Sequence, residues 1–178
     1  MPLNWLDQSL ADAREDEGFR EYAYPDVLSK LYKATRNSVR WGFVPARNVQ
    51  LPPGVSLADG APWTVGYGYT HGVQPDTRFT KEMAEHKLRE IIQMSVKDSL
   101  ILVPNFNDQP DVIKTVLVSM CYNMGRTTLS QFRNTLKSFR EKRYEDAAKG
   151  MEASAWYKQV GLRAKKLVKR VRTLKIEE

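Results

Sequence analysis

Apolar residues recur at helical spacing over most of this chain, and the breaks in that spacing divide it into elements. Leu6, Leu10 and Ala13 share one face of a helix predicted over residues 4–17, with Asn4 placed to cap its start and Gly18 to stop it. A longer run starts at Thr80, carries Glu82 in its first turn, and repeats Ala84, Leu88, Ile91, Ile92, Val96 and Leu100 at the same period. It predicts a helix over 80–103. After Pro104, the stretch Asn107-Asp108-Gln109-Pro110 reads as a start signal for an apolar helix through Met124, ended by Gly125. Shorter helices are expected over 132–142, 144–153 and 162–174.

Two stretches depart from the helical period. Tyr22-Ala23-Tyr24 and Trp63 to Tyr69 combine aromatic and β-branched residues with glycines, which predicts short strands joined by tight turns. Between them, residues 27–62 hold Pro45, Pro52, Pro53 and Pro62 with Gly54 and Gly60 and show no strong period. This segment reads as an irregular surface insertion without a core of its own, on which Arg36, Arg40, Trp41 and Arg47 are candidate ligand contacts. The expected fold is therefore α+β and predominantly helical.

Composition narrows the class. A chain of 178 residues, 42% hydrophobic, is long enough to bury a real core and too short for a second full domain. Its longest apolar runs, such as Ile101-Leu102-Val103, are too short to span a bilayer, and the start Met1-Pro2-Leu3-Asn4-Trp5 lacks the pattern of an export signal. The single cysteine, Cys121, sits in an apolar run and is read as core filler. His71 and His86 are too few to suggest a metal site. The net charge of +7 calls for an acidic partner: nucleic acid, a membrane surface or a bacterial wall polymer. Acids gather in residues 1–26, whereas Arg163, Lys165, Lys166, Lys169, Arg170, Arg172 and Lys175 make the end of the chain basic.

The acidic end carries the candidate chemistry. Glu17-Gly18 and Tyr24-Pro25-Asp26 place two carboxylates around a glycine turn, and Trp63-Thr64-Val65-Gly66-Tyr67-Gly68 follows. Glycoside hydrolysis needs such a pair, one acid to protonate the leaving oxygen and one carboxylate to activate water or attack the sugar. Taken singly, Glu17 reads first as a solvated helix end, and Asp26 can be a turn aspartate bonding to nearby N–H groups and Thr64 an ordinary strand residue.

Taken together with the blocks downstream, the sequence resembles the phage lysozyme, or endolysin, family of muramidases. Phe79-Thr80-Lys81-Glu82-Met83-Ala84, Cys121-Tyr122-Asn123-Met124-Gly125, Phe132-Arg133-Asn134-Thr135-Leu136, and Ala155-Trp156-Tyr157 with Gly161-Leu162-Arg163 follow in family order, so the resemblance covers most of the chain outside 27–62. It implies one lysozyme-like domain over 1–178: a small β-containing lobe over about 18–79, a helical lobe from 1–17 and 104–178, and 80–103 as the connecting helix, with a cleft between the lobes. It implies Glu17 as general acid, and Asp26 with Thr64 as the pair that activates water. Gly66, Tyr67, Asn123 and Arg163 match substrate-side positions, and Arg163 is expected beside the catalytic glutamate. Trp156 is expected to pack in the core. The family pattern commonly places histidine after the second glycine; here Tyr69 stands in that place and His71 comes two later.

The implied activity is hydrolysis of the β-1,4 bond between N-acetylmuramic acid and N-acetylglucosamine in peptidoglycan, with no cofactor and no metal. The implied setting is phage lysis: a monomer held in the host cytoplasm until a partner such as a holin opens the membrane, then acting on the wall, its basic end offering contact to an anionic wall or membrane. Three alternatives stay open on the sequence: a transglycosylase of the same fold that leaves an anhydro sugar, a non-catalytic wall-binding protein, and a basic nucleic-acid-binding domain, for which no recognised motif is present.

Overall fold

The computed structural model describes residues 3–174. The fold is α+β and mostly helical, with one two-stranded antiparallel sheet. In chain order the elements are α1 (Trp5–Glu17), β1 (Arg20–Pro25), α2 (Lys30–Thr35), β2 (Trp63–Gly66), α3 (Lys81–Leu102), α4 (Asp111–Ser130), α5 (Arg133–Arg140), α6 (Tyr144–Glu152), α7 (Ala155–Val160) and α8 (Leu162–Arg172). Short 3₁₀ turns lie at Ala46–Asn48, Leu57–Gly60 and Phe106–Asp108. Two compact units emerge: Ala13–Glu90, and the described residues up to Asp12 together with those from Ile91 onward. The divisions fall within α1 and α3.

The Ala13–Glu90 unit is built on β1 and β2, whose register pairs Arg20 with Gly66, Tyr24 with Thr64 and Pro25 with Trp63. The second strand is shorter than its apolar pattern suggests because Gly66 turns to φ +66. Residues 27–62 correct the expectation of a coreless excursion. Ser29 caps α2 by accepting from Tyr32 N–H at 3.0 Å, and Leu31 is fully buried. Trp41, read from the sequence as a ligand contact, is instead interior: its ring stands edge-on to Trp63 at 5.6 Å and its Nε1 donates to Thr35 Oγ1 at 2.8 Å. Gly60 closes the segment against β1, where a Cβ would come within 2.8 Å of both Leu31 and Pro25. The elements of this small core, six residues or fewer, are too short to show a period in the sequence.

The other unit is helical. Ile113, Val116, Leu117, Met120 and Cys121 make α4 its buried spine, with Phe106 set edge-on to Trp5 at 5.6 Å. Burial pushes the Cys121 thiol up to about 11, with the charge of Asp98 adding to the shift, so it is the core residue its surroundings suggest. Asn107 and Asp108 do not cap α4; they lie in a 3₁₀ turn, and Pro110 precedes the helix. Gly125 breaks the helix at φ 79, ψ 160, as expected, but a further helical stretch follows to Ser130. On α5 and α6, Gly150 lets the helices close up, since a Cβ there would sit 2.2 Å from Thr135 Oγ1. Arg170 of α8 clamps the buried Asp12 of α1 with bonds of 2.5 and 2.8 Å, and Lys166 lies 3.8 Å from the same carboxylate. Two of the basic residues proposed for wall attraction are thus engaged within the fold. Lys165 and Lys169 are exposed, whereas Lys175 lies outside the described residues.

Candidate active site

Glu17 is the last residue of α1. The helix ends there because Gly18 takes φ +66 and returns its N–H to Arg14 O at 2.9 Å, a conformation a side chain resists. The start is fixed just as locally, by Asn4 Oδ1 accepting the Asp7 N–H at 2.9 Å. One turn before Glu17, Arg14 forks onto Glu85 of α3 through bonds of 2.7 and 2.8 Å. The hydrogen bond from Arg14 is the main reason the Glu85 carboxyl is held below its ordinary range. The Tyr67 hydroxyl bonds to the same carboxylate; burial and then Glu85 raise its pKa. Tyr67 is 6% exposed and packs on Phe19 at 5.6 Å. Its side chain is therefore largely interior, held between the Phe19 ring and the Glu85 carboxylate.

The hairpin after β2 completes the surroundings of Glu17. Val65 and Tyr69 exchange backbone bonds of 2.9 Å in both directions and enclose Gly66-Tyr67-Gly68. At Gly68, with φ +77, a Cβ would stand 2.7 Å from Glu17 Oε2, so the missing side chain makes room for the glutamate itself. At Gly66 the space is taken by Phe79 and Ala84, at 3.0 and 3.2 Å from where a Cβ would be. Tyr69, standing where the family pattern has histidine, packs on Phe79 at 5.5 Å and lies 5.6 Å from Lys87 Nζ.

Asp26 follows β1 directly. Its N–H donates to Gly60 O at 3.0 Å, its Oδ1 accepts from Leu28 N–H at 2.7 Å, and its carbonyl accepts from Ser29 N–H at 2.9 Å. It is a turn aspartate with one carboxylate oxygen so engaged. Thr64 lies opposite Tyr24 in the sheet, and the Tyr24 phenol hydrogen-bonds to it. Burial chiefly raises the Tyr24 pKa, and the charge of Glu17 adds to it, so this phenol senses both Glu17 and Thr64. Tyr24, Arg14 and Glu85 are the neighbours of the candidate residues that sequence reasoning missed. Tyr24 was visible only as strand pattern, and the Arg14–Glu85 pair spans 71 residues, beyond any local signal.

Asn123 and Arg163 belong to the helical unit. Asn123 Oδ1 accepts from Trp156 Nε1 at 2.7 Å; Trp156 is buried, as expected, and stands edge-on to Phe132 at 6.4 Å. The Arg163 guanidinium lies 5.6 Å from the centre of the Tyr122 ring. Among the described residues, no group of three or more His, Cys, Asp or Glu side chains is arranged to hold a metal.

The family model for phage lysozyme matches residues 48–173, well over half of the chain. The match includes Thr64, Gly66, Tyr67, Asn123 and Arg163 and begins after Glu17 and Asp26. The chain belongs to the phage lysozyme family, and with that membership goes glycosidase-type hydrolysis of peptidoglycan.

Proposed function

We propose that this chain is a muramidase that cleaves the β-1,4 bond between N-acetylmuramic acid and N-acetylglucosamine with inversion at the anomeric carbon. The observation that carries the reading is the seat of Glu17: a carboxyl at a helix end, lying against the side-chain-free Gly68 in the hairpin that grows out of Thr64's strand. Glu17 donates its proton to the leaving glycosidic oxygen. Asp26, with only Oδ1 hydrogen-bonded among the described residues, keeps its second oxygen for a water, and the Thr64 hydroxyl holds that water. As the water attacks, Asp26 takes its proton and the product forms in the α configuration. Gly66, Asn123 and Arg163 are assigned to the substrate, and Tyr67 acts indirectly by holding the end of α1.

The biological setting we infer is wall degradation during phage lysis, with entry to the wall dependent on a holin-type partner. No helix among the described residues is long and apolar enough to cross a membrane. The decisive experiment follows fresh product by NMR and released muropeptides by mass spectrometry. The expected result is an α-configured reducing end, with at least a ~10²-fold loss of rate in a folded Glu17→Gln variant. Retained β configuration would overturn the water-mediated step, and an anhydro product would reassign the chain to transglycosylation.

A further inference from the structure

The segment 27–62 does more than fold back on the sheet. It carries Lys30, Lys33, Arg36, Arg40 and Arg47 against Asp59 alone, so cations outnumber acids far more here than in the chain as a whole. Lys30 Nζ is committed to Gly54 O at 2.9 Å. Arg40 is differently placed: its guanidinium lies 4.1 Å from the centre of the half-exposed Phe43 ring, and Arg20 of β1 approaches the same ring at 4.8 Å. Among the described residues no carboxylate pairs with Arg40. Stacking on an aromatic fixes a guanidinium plane while leaving its N–H groups directed outward, which is how arginine is readied for a carboxylate.

Arg40 also lines an open groove of about 580 Å³ with Val39, Val44, Asn48, Gln50 and Pro52. The lining is mixed: apolar walls, two carboxamides and one guanidinium. A phosphate polymer would be served by charge alone. A short peptide uses all three, with methyl groups on the apolar walls, backbone amides on Asn48 and Gln50, and a carboxylate on Arg40. The groove is tied to the sheet by Tyr22 N–H donating to Gly42 O at 3.1 Å. Tyr22 precedes Asp26 by four residues, at most about 13 Å of chain, and an extended peptide of four residues has about the same reach.

We propose that this groove binds the acidic stem peptide attached to muramic acid, so that the insertion reads the peptide while Asp26 and Thr64 address the sugar. The identity of the polymer rests on the muramidase reading; the binding itself is testable without it. Titrating the ¹⁵N-labelled protein with L-alanyl-γ-D-glutamyl-L-lysyl-D-alanine is expected to shift amide signals within residues 38–53, and the same peptide with both carboxylates amidated is expected to shift them far less. No shift, equal shifts from the two peptides, or equal shifts from inorganic phosphate would overturn the proposal. In parallel, the ratio of kcat/KM on peptide-bearing wall to that on glycan stripped by an amidase is expected to fall about tenfold in Arg40→Ala, and less in Gln50→Ala, with unchanged thermal midpoints. An unchanged ratio in Arg40→Ala would overturn it. If the unmutated enzyme cleaves neither substrate, the muramidase reading fails and the titration alone decides this one.

Discussion

At the scale of single residues, Gly68 and Gly72 separate two effects that glycines usually mix. Both have positive φ, +77 and +66, but a Cβ at Gly68 would strike Glu17 whereas one at Gly72 would meet nothing within 4 Å. Alanine at either position carries a backbone cost of about 1–2 kcal/mol. Only Gly68→Ala must also displace the Glu17 carboxylate. Melting curves and turbidity assays are expected to show comparable destabilisation of the two variants, with hydrolysis largely lost in Gly68→Ala and largely kept in Gly72→Ala. Equal activities would mean that Glu17 relaxes around the added methyl without consequence. The candidates Glu17, Asp26 and Thr64 could be proposed from the sequence because each lies in a short block with a recognisable order. Arg14, Glu85 and Tyr24 could not, since their contacts around these candidates depend on a fold that brings distant positions together.

Between elements, the Asp12–Arg170 clamp joins α1 to α8 in the helical unit. Burial alone would raise the Asp12 pKa, but hydrogen bonds from Arg170 and Gln8 and the charges of Arg170 and Lys166 outweigh it and hold the group below its ordinary value. A depressed carboxyl stabilises the folded state above its unfolded value, near ~3.9, and that contribution fades as pH falls through the folded value. Asp12→Asn is therefore expected to lose up to about 3 kcal/mol at pH 7, the low end for a buried pair because Arg170 keeps some contact with water. Below about pH 4 the difference from the unmutated chain should shrink, as urea titrations at pH 7 and pH 3 would show. The elements themselves were legible where length allowed a period to show. Thr80 caps α3 through Met83 N–H at 3.2 Å, and Ala84, Leu88 and Ile92 are buried as the spacing requires. Ser95 and Ser99 share that buried face because their hydroxyls bond to the Ile91 and Ser95 carbonyls one turn earlier, a solution that a hydrophobic pattern does not register. α2 and α7, six residues each, are too short to show a period.

For the whole molecule, the insertion is where sequence and structure diverge most, and the divergence has a measurable outcome. Leu31, Trp41 and Ala46 are buried, and Trp41 and Gly60 both pack on Trp63. Replacing residues 30–60 by a short turn is therefore expected to unfold the sheet-bearing unit, with loss of its amide protection in hydrogen exchange, while the helices beyond Ile91 keep theirs. Retained protection across β1 and β2 would return the segment to the status of a surface appendage. The clamp between Asp12 and Arg170 also has a consequence in time. The partners stand 158 residues apart in the sequence, so at ~5–20 residues per second roughly 8–30 s of synthesis separate the first from the second. Through that interval the carboxylate lacks its counter-ion, and α8, still being made or held within the ribosome, cannot dock. The helical unit therefore finishes folding only once α8 has been made and released, which leaves a chain terminated before Arg170 open to proteases.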